Sequence, residues 1–117
     1  MAGHQLLGKH GEALAVQWLV ERSYNILHQN WRFSYYEIDI IDSKSNVLHF
    51  NKVKTRCSKK YGLPEESVSD KKIENMMNAS YEYQYRNSGW KRIQYDVMSI
   101  TISNNIAEFY FIEYVYL

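Results

Sequence analysis

Apolar residues recur at helical spacing over residues 6–22. Leu7, Leu14 and Trp18 fall on one row and Ala15 and Leu19 beside it, with Gln17, Glu21 and Arg22 outside. This pattern predicts an amphipathic helix. The pattern then shortens to strand-like runs over residues 24–33, 36–42 and 47–55, separated by Ser34-Tyr35 and Ser43-Lys44-Ser45-Asn46. Turn residues between such runs predict hairpins. A second helix is expected to start near Ser69 or Asp70, both good N-caps, and to run through Met76, Met77 and Ala79 towards Tyr85 before Asn87-Ser88-Gly89 ends it. Two last strands, over residues 93–102 and 107–116, meet at Ser103-Asn104-Asn105. The order αβββαββ predicts an α/β (α+β) domain with a mixed sheet between helices. The only proline, Pro64, lies in the loop 58–64, the clearest break in a chain without repeats.

The last strand alternates poorly. In residues 108–116 both alternating sets are largely apolar, where a half-exposed strand should show one polar face. Helices covering both faces would explain this, and so would a homodimer contact through the strand's edge.

Composition narrows the class. A chain of 117 residues with 45% hydrophobic content makes one folded domain spanning residues 1–117. The aromatic share of 15% is mostly tyrosine, which suits core margins and interfaces. A net charge of +1 argues against a generally basic coat, so nucleic-acid binding would need local clustering of charge. Cys57 is the only cysteine and has no intrachain partner, which favours a reducing compartment. Gly3, His4, Gln5, Lys9 and His10 interrupt the N-terminus, and no apolar run is long enough to span a bilayer. A soluble cytoplasmic protein without membrane contact is expected.

The charged residues of the central strands stand out. Tyr36-Glu37-Ile38-Asp39-Ile40-Ile41 ends one run, and Leu48-His49-Phe50-Asn51-Lys52-Val53-Lys54-Thr55-Arg56 forms the next. Strand alternation puts Glu37, Asp39 and Ile41 on one side, and Leu48, Phe50, Lys52 and Lys54 on one side of the neighbour. A lysine following an apolar line needs a partner or solvent, and Glu37 and Asp39 are the partners across the hairpin. A simple cross-strand salt bridge explains this spacing. So does a cleft in which carboxylates hold Mg²⁺ while a lysine meets phosphate. Glu12 lies beside the first helix's apolar stripe and could reach the sheet edge. Lys52, Lys54, Arg56, Lys59 and Lys60 cluster after the third strand, and Lys71 and Lys72 open the second helix. A groove lined by these groups would follow a phosphate backbone. Tyr61, Tyr81, Tyr83 and Tyr85 are aromatic rings that can stack on bases or pack in the core.

Taken in order, Gly8-x-x-Gly11-Glu12-x-Leu14-Ala15, Tyr24-x-Ile26-Leu27-x-x-Asn30-Trp31-Arg32, Glu37-Ile38-Asp39-Ile40-Ile41, Val53-Lys54-Thr55-Arg56, Gly62-x-Pro64, Lys72, Ala79 and Tyr95-Asp96-Val97 resemble the YraN family. This is a bacterial group of uncharacterised endonuclease-like proteins similar to Holliday junction resolvases. The resemblance runs over almost the whole chain. It implies the PD-(D/E)XK restriction-endonuclease-like fold, nucleic acid (DNA rather than RNA) as partner, and Mg²⁺ or Mn²⁺ as cofactor in active members. Carried over residue by residue, it makes Asp39 a metal ligand, Lys54 the lysine that orients water or steadies phosphate, Glu12 the helix-one acid that completes the site, and Glu37 the acid before the motif aspartate. The catalytic set would be Asp39, Lys54 and Glu12, the metal ligands Asp39, Glu37 and Glu12, and the nucleic-acid contacts Lys52, Lys54, Arg56, Lys59, Lys60 and Lys72.

The sequence departs from that pattern twice. Tyr36 stands where the family usually has glycine, and Lys52 stands where it has the second metal-binding glutamate. Unit charges 4 Å apart interact by about 4 kcal/mol at an effective dielectric of 20, so exchanging a carboxylate for an ammonium replaces an attraction of that size by a similar repulsion. The expectation is a nuclease-like protein that binds nucleic acid with an impaired metal site, with Mg²⁺ or Mn²⁺ as cofactor only if it is active. The alternatives are an active metal-dependent endonuclease using Glu12, Glu37, Asp39 and Lys54, and a non-catalytic homodimeric interaction protein.

Overall fold

The computed structural model describes the backbone of residues 2–57 and 69–114 and the side chains of residues 8–57 and 69–113. Seven elements follow in the expected order: α1 (Ala2–Glu21), β1 (Asn25–Phe33), β2 (Tyr36–Lys44), β3 (Val47–Arg56), α2 (Asp70–Arg86), β4 (Arg92–Ser103) and β5 (Ile106–Tyr114). The first helix begins at Ala2, four residues before its apolar stripe predicts, because the stripe marks the packed face and not the helix end. Ser69 caps α2 by accepting from the Lys72 N–H.

The five strands form one mixed sheet in the order β1-β2-β3-β4-β5. Three neighbouring pairs are antiparallel, while β3 and β4 run parallel through the α2 crossover. The turn after β2 is tighter than the four-residue break expected. Ser45 and Asn46 carry it alone, both at positive φ, as do Asn104 and Asn105 between β4 and β5. Two consecutive left-handed residues give the turn that matches strand twist.

One helix covers each face of the sheet. Ile38, Ile41, Leu48, Phe50, Tyr95 and Val97 pack against Ile73, Met76, Ala79 and Tyr83 of α2. Ile40, Met98 and Ile100 pack against Ala15 and Leu19 of α1. Tyr83 is a core residue and not a base platform. It is 3% exposed and meets the rings of His28, Trp31 and Phe50 edge-on. On β5, Phe109 and Phe111 lie against Trp18 of α1, whereas Ile106 and Tyr110 are exposed. The expected cover on both faces of this strand is therefore present on the α1 side and only partial on the other.

The α1 face also holds a buried polar cluster that strand alternation did not reveal. Asp42, Asn51 and Asp96 are fully buried and His49 nearly so. His49 Nδ1 lies 2.8 Å from Asp96 Oδ2, Gln94 donates to Asp96 Oδ1 at 2.7 Å, and Asn51 Nδ2 donates to Asp42 Oδ2. Asp42 Oδ1 and Asn51 Oδ1 lack hydrogen-bond partners. Two buried acceptors without a donor are costly, and a proton on Asp42 would supply the donor. In keeping with this, burial pushes the Asp42 carboxyl up to about 7, against the opposing pull of His49. Burial lowers the His49 pKa, but the hydrogen bond and charge of Asp96 raise it more, and the net shift is upward.

Both groups therefore hold protons more tightly folded than unfolded. Stability from Asp42 is complete near pH 4 and is lost as pH rises through about 7, and that from His49 is lost above its ordinary range. Asp42→Asn supplies the donor at every pH. It should raise the melting temperature by roughly 5 °C at about pH 8 and by much less at about pH 5. Differential scanning calorimetry at the two pH values checks this, and an equal effect at both would contradict it.

Candidate nucleic-acid interface

The β2–β3 ladder stops part-way. Its last paired residues are Ile40 and Asn51, while β3 stays paired with β4 as far as Arg56 and Thr101. Beyond Ile40, the ladder pairing of β2 is with β1 alone among the described residues. The strands therefore part at Asp39 and Lys52, and the gap leaves the β3 backbone short of acceptors on that side. Asp39 supplies one: its Oδ2 accepts the Val53 N–H at 2.7 Å.

Alternation also breaks here. Ile38 and Ile41 face α2, but Ile40 faces α1. The expected shared side for Glu37, Asp39 and Ile41 is thus not kept, because the strand changes face across Asp39. On β1, Asn30 lies between the pairs Gln29–Ile40 and Trp31–Ile38, opposite Asp39. It has φ +52°, a left-handed conformation that asparagine tolerates.

Charges from both helices gather at this gap. Lys52 Nζ lies 3.4 Å from Asp39 Oδ2, with Asp39 5% exposed. From the α1 side, Glu12 lies near Asn30 and senses Asp39, Glu37 and Lys52. Its carboxyl is raised by burial first and then by Asp39 and Glu37, with Lys52 and Asn30 acting against the shift. Gly11 puts Glu12 there. A Cβ at Gly11 would overlap the Thr55 hydroxyl and come within 2.8 Å of the Thr55 Cβ, so only glycine lets α1 lie this close to β3. From the α2 side, Lys72 is held below the ordinary lysine range by partial burial, then by the charges of Lys54 and Lys52, with Asp39 opposing. A cleft of about 190 Å³ opens beside these groups, lined by Tyr35, Tyr36, Glu37, Lys52, Lys72 and Asn75.

Glu12, Glu37, Asp39, Lys52, Lys54 and Lys72 are thus brought together. Glu37 additionally pairs across the hairpin with Arg32 at 3.3 Å. Arg56 is turned away towards β4, where Nε donates to Thr101 Oγ1 at 3.3 Å. Lys59, Lys60, Tyr61, Gly62 and Pro64 lie outside the described residues. Tyr81 and Tyr85 are exposed on α2, and Cys57 is a free, exposed thiol.

The donor set does not fit a hard divalent cation, which takes oxygen ligands in a defined shell. The Asp39 oxygen at the gap already serves Val53 and Lys52. Among the described residues no three Asp, Glu, His or Cys side chains form a group that could hold a metal ion. No helix among them is long and apolar enough to cross a membrane.

Residues 11–100 match the sequence profile of the Uncharacterised protein family UPF0102. The chain belongs to the UPF0102 family. A UPF0102 protein of Flavobacterium psychrophilum is 41% identical over 100 residues, covering 86% of this chain and 84% of that protein. One of Rhodococcus jostii is 39% identical over 106 residues, covering 89% of each chain. A UPF0102 protein of Bacteroides fragilis is 41% identical over 83 residues, covering 71% of this chain and 69% of its own. The UPF0102 match contains the whole gap: Glu12, Asn30, Glu37, Asp39, Lys52, Lys54 and Lys72 all fall within residues 11–100.

The hydrogen bond to Val53 makes Asp39 a structural group as well as a charged one. Asp39→Ala should destabilise the protein by about 1–3 kcal/mol, since it leaves a part-buried N–H without a partner. Asp39→Asn keeps an acceptor and should cost less. Urea unfolding of both variants checks the order, and equal losses would show that the Lys52 charge pair matters more than the backbone bond.

Proposed function

We propose that this chain is a nucleic-acid-binding protein of the endonuclease-like fold in which Lys52 takes the place of a catalytic divalent cation. The observation that carries this reading is the Lys52 ammonium 3.4 Å from Asp39 at the mouth of the β2–β3 gap. The YraN-like motifs put a metal-binding pair of acids at these two positions. An ammonium fixed there still attracts phosphate, but it does not acidify water as a metal does. Lys72 on α2 lies close enough to Lys54 and Lys52 of β3 to feel both charges, giving three neighbouring cations in a chain whose net charge is only +1. Local clustering of this kind is what a phosphate backbone requires.

The reading requires no more of the protein than binding. Phosphates would sit on Lys52, Lys54 and Lys72, with DNA as the expected partner. A metal-dependent endonuclease is the second reading, favoured by the way Glu12 shares its field with Glu37 and Asp39. It requires those acids to close on a metal that Lys52 now opposes. A homodimeric interaction protein is the third, favoured by exposed Ile106 and Tyr110 on the edge strand β5.

Wild type and Lys52→Glu, assayed with Mn²⁺ on branched and single-stranded DNA, separate these readings. Wild type should retard DNA without cutting it. The log–log dependence of its affinity on salt should have a slope of about −2 to −3, as three phosphate contacts give. Lys52→Glu should gain Mn²⁺-dependent cutting. Cutting by wild type would favour the endonuclease reading, and a wild type that neither binds nor cuts would leave the interaction protein in front.

A further inference from the structure

The tip of the β1–β2 hairpin breaks the chemistry of its own turn. Phe33 and Tyr36 are the last paired residues, leaving Ser34 and Tyr35 to make a two-residue connection with Ser34 at φ +57°. Such turns favour glycine, asparagine and aspartate. Here the second position holds an aromatic ring that is 98% exposed. Its neighbour Tyr36 packs on the core under α2, so the hairpin is anchored while its tip projects. A residue that breaks a local rule without a packing return marks a functional position more often than a structural one.

Position decides what the ring can do. Tyr35 lines the same cleft as Lys52 and Lys72. Two cations able to hold phosphates and an unburied aromatic ring thus line one cleft. A nucleic-acid strand presents this pair of chemistries, charged backbone on one side and π-faced bases on the other. Base-on-aromatic stacking requires a base not already stacked in a duplex.

We infer that Tyr35 is a base-stacking residue that engages an unpaired base of a DNA strand whose phosphates lie on Lys52 and Lys72. This rests on the nucleic-acid reading above and adds a substrate class to it: single-stranded or distorted DNA over intact duplex. The tyrosine hydroxyl has no part in the contact, so phenylalanine serves as well and alanine does not.

Binding to three probes tests it: a short single-stranded DNA, the same strand carrying abasic sites, and the corresponding duplex. Tyr35 is fully exposed in a turn, so its variants should fold, and circular dichroism confirms that. Tyr35→Ala should lose about 10-fold in affinity for the single strand. It should lose little for the abasic strand or the duplex, and Tyr35→Phe should bind like wild type. In Tyr35→Trp the added indole emission should be quenched by the single strand and not by the abasic one. Equal affinity of wild type and Tyr35→Ala for the single strand would overturn the stacking role while leaving phosphate binding intact. Equal losses on single strand and abasic strand would overturn it too. Failure of wild type to bind any of the three would overturn the nucleic-acid reading itself and this inference with it.

Discussion

A β-ladder that stops before its strands end leaves backbone groups to be satisfied by something else. In this chain that substitution is the Asp39 carboxylate accepting the Val53 N–H at 2.7 Å. The bond does two things at once. It holds β2 and β3 together past their last paired residues, Ile40 and Asn51, and it fixes a nearly buried negative charge at the head of the gap. A buried carboxylate needs a cation or several donors, and Lys52 meets that need at 3.4 Å. The ion pair is thus a consequence of the strand separation.

The two helices matter because of what they bring to the gap. The Gly11–Thr55 contact draws α1 onto β3 and sets Glu12 beside Asn30 and the acids of β2. The crossover that makes β3 and β4 parallel places the N-terminal turn of α2, and with it Lys72, on the other side. One half of the site is acidic and the other basic, with Lys52 in the field of both. An active metal nuclease would neutralise the acidic half with its cation. Here the chain supplies a charge of that sign itself.

Much of this was legible in the sequence. Element order followed from hydrophobic period, and turn residues located the hairpins. The acids and lysines now found around the gap were distinguished by their resemblance to a family pattern, because spacing alone equally described a salt bridge. Other features were hidden for physical reasons. The change of face across Asp39 depends on where β2 loses its second neighbour, which a period-2 reading cannot contain. The cluster of Asp42, His49, Asn51 and Asp96 looks like ordinary polar alternation until α1 buries it. Its only signal was the number of polar residues in strands expected to be covered on both faces. The tyrosines of α2 read alike in the sequence, as stacking or packing rings, and only the fold separates buried Tyr83 from exposed Tyr81 and Tyr85. Tyr35 drew no attention in the sequence because a turn residue reveals its exposure only in three dimensions.

Whether Lys52 stands in for a metal is tested most directly by isothermal titration of Mn²⁺ into wild type and Lys52→Glu without nucleic acid. If the ammonium occupies the cation's place, wild type shows no saturable binding and Lys52→Glu shows one site that is lost again when Asp39→Asn is added. Saturable binding of Mn²⁺ to wild type, with affinity equal to that of Lys52→Glu, would contradict it and would return Glu12, Glu37 and Asp39 to the role of metal ligands.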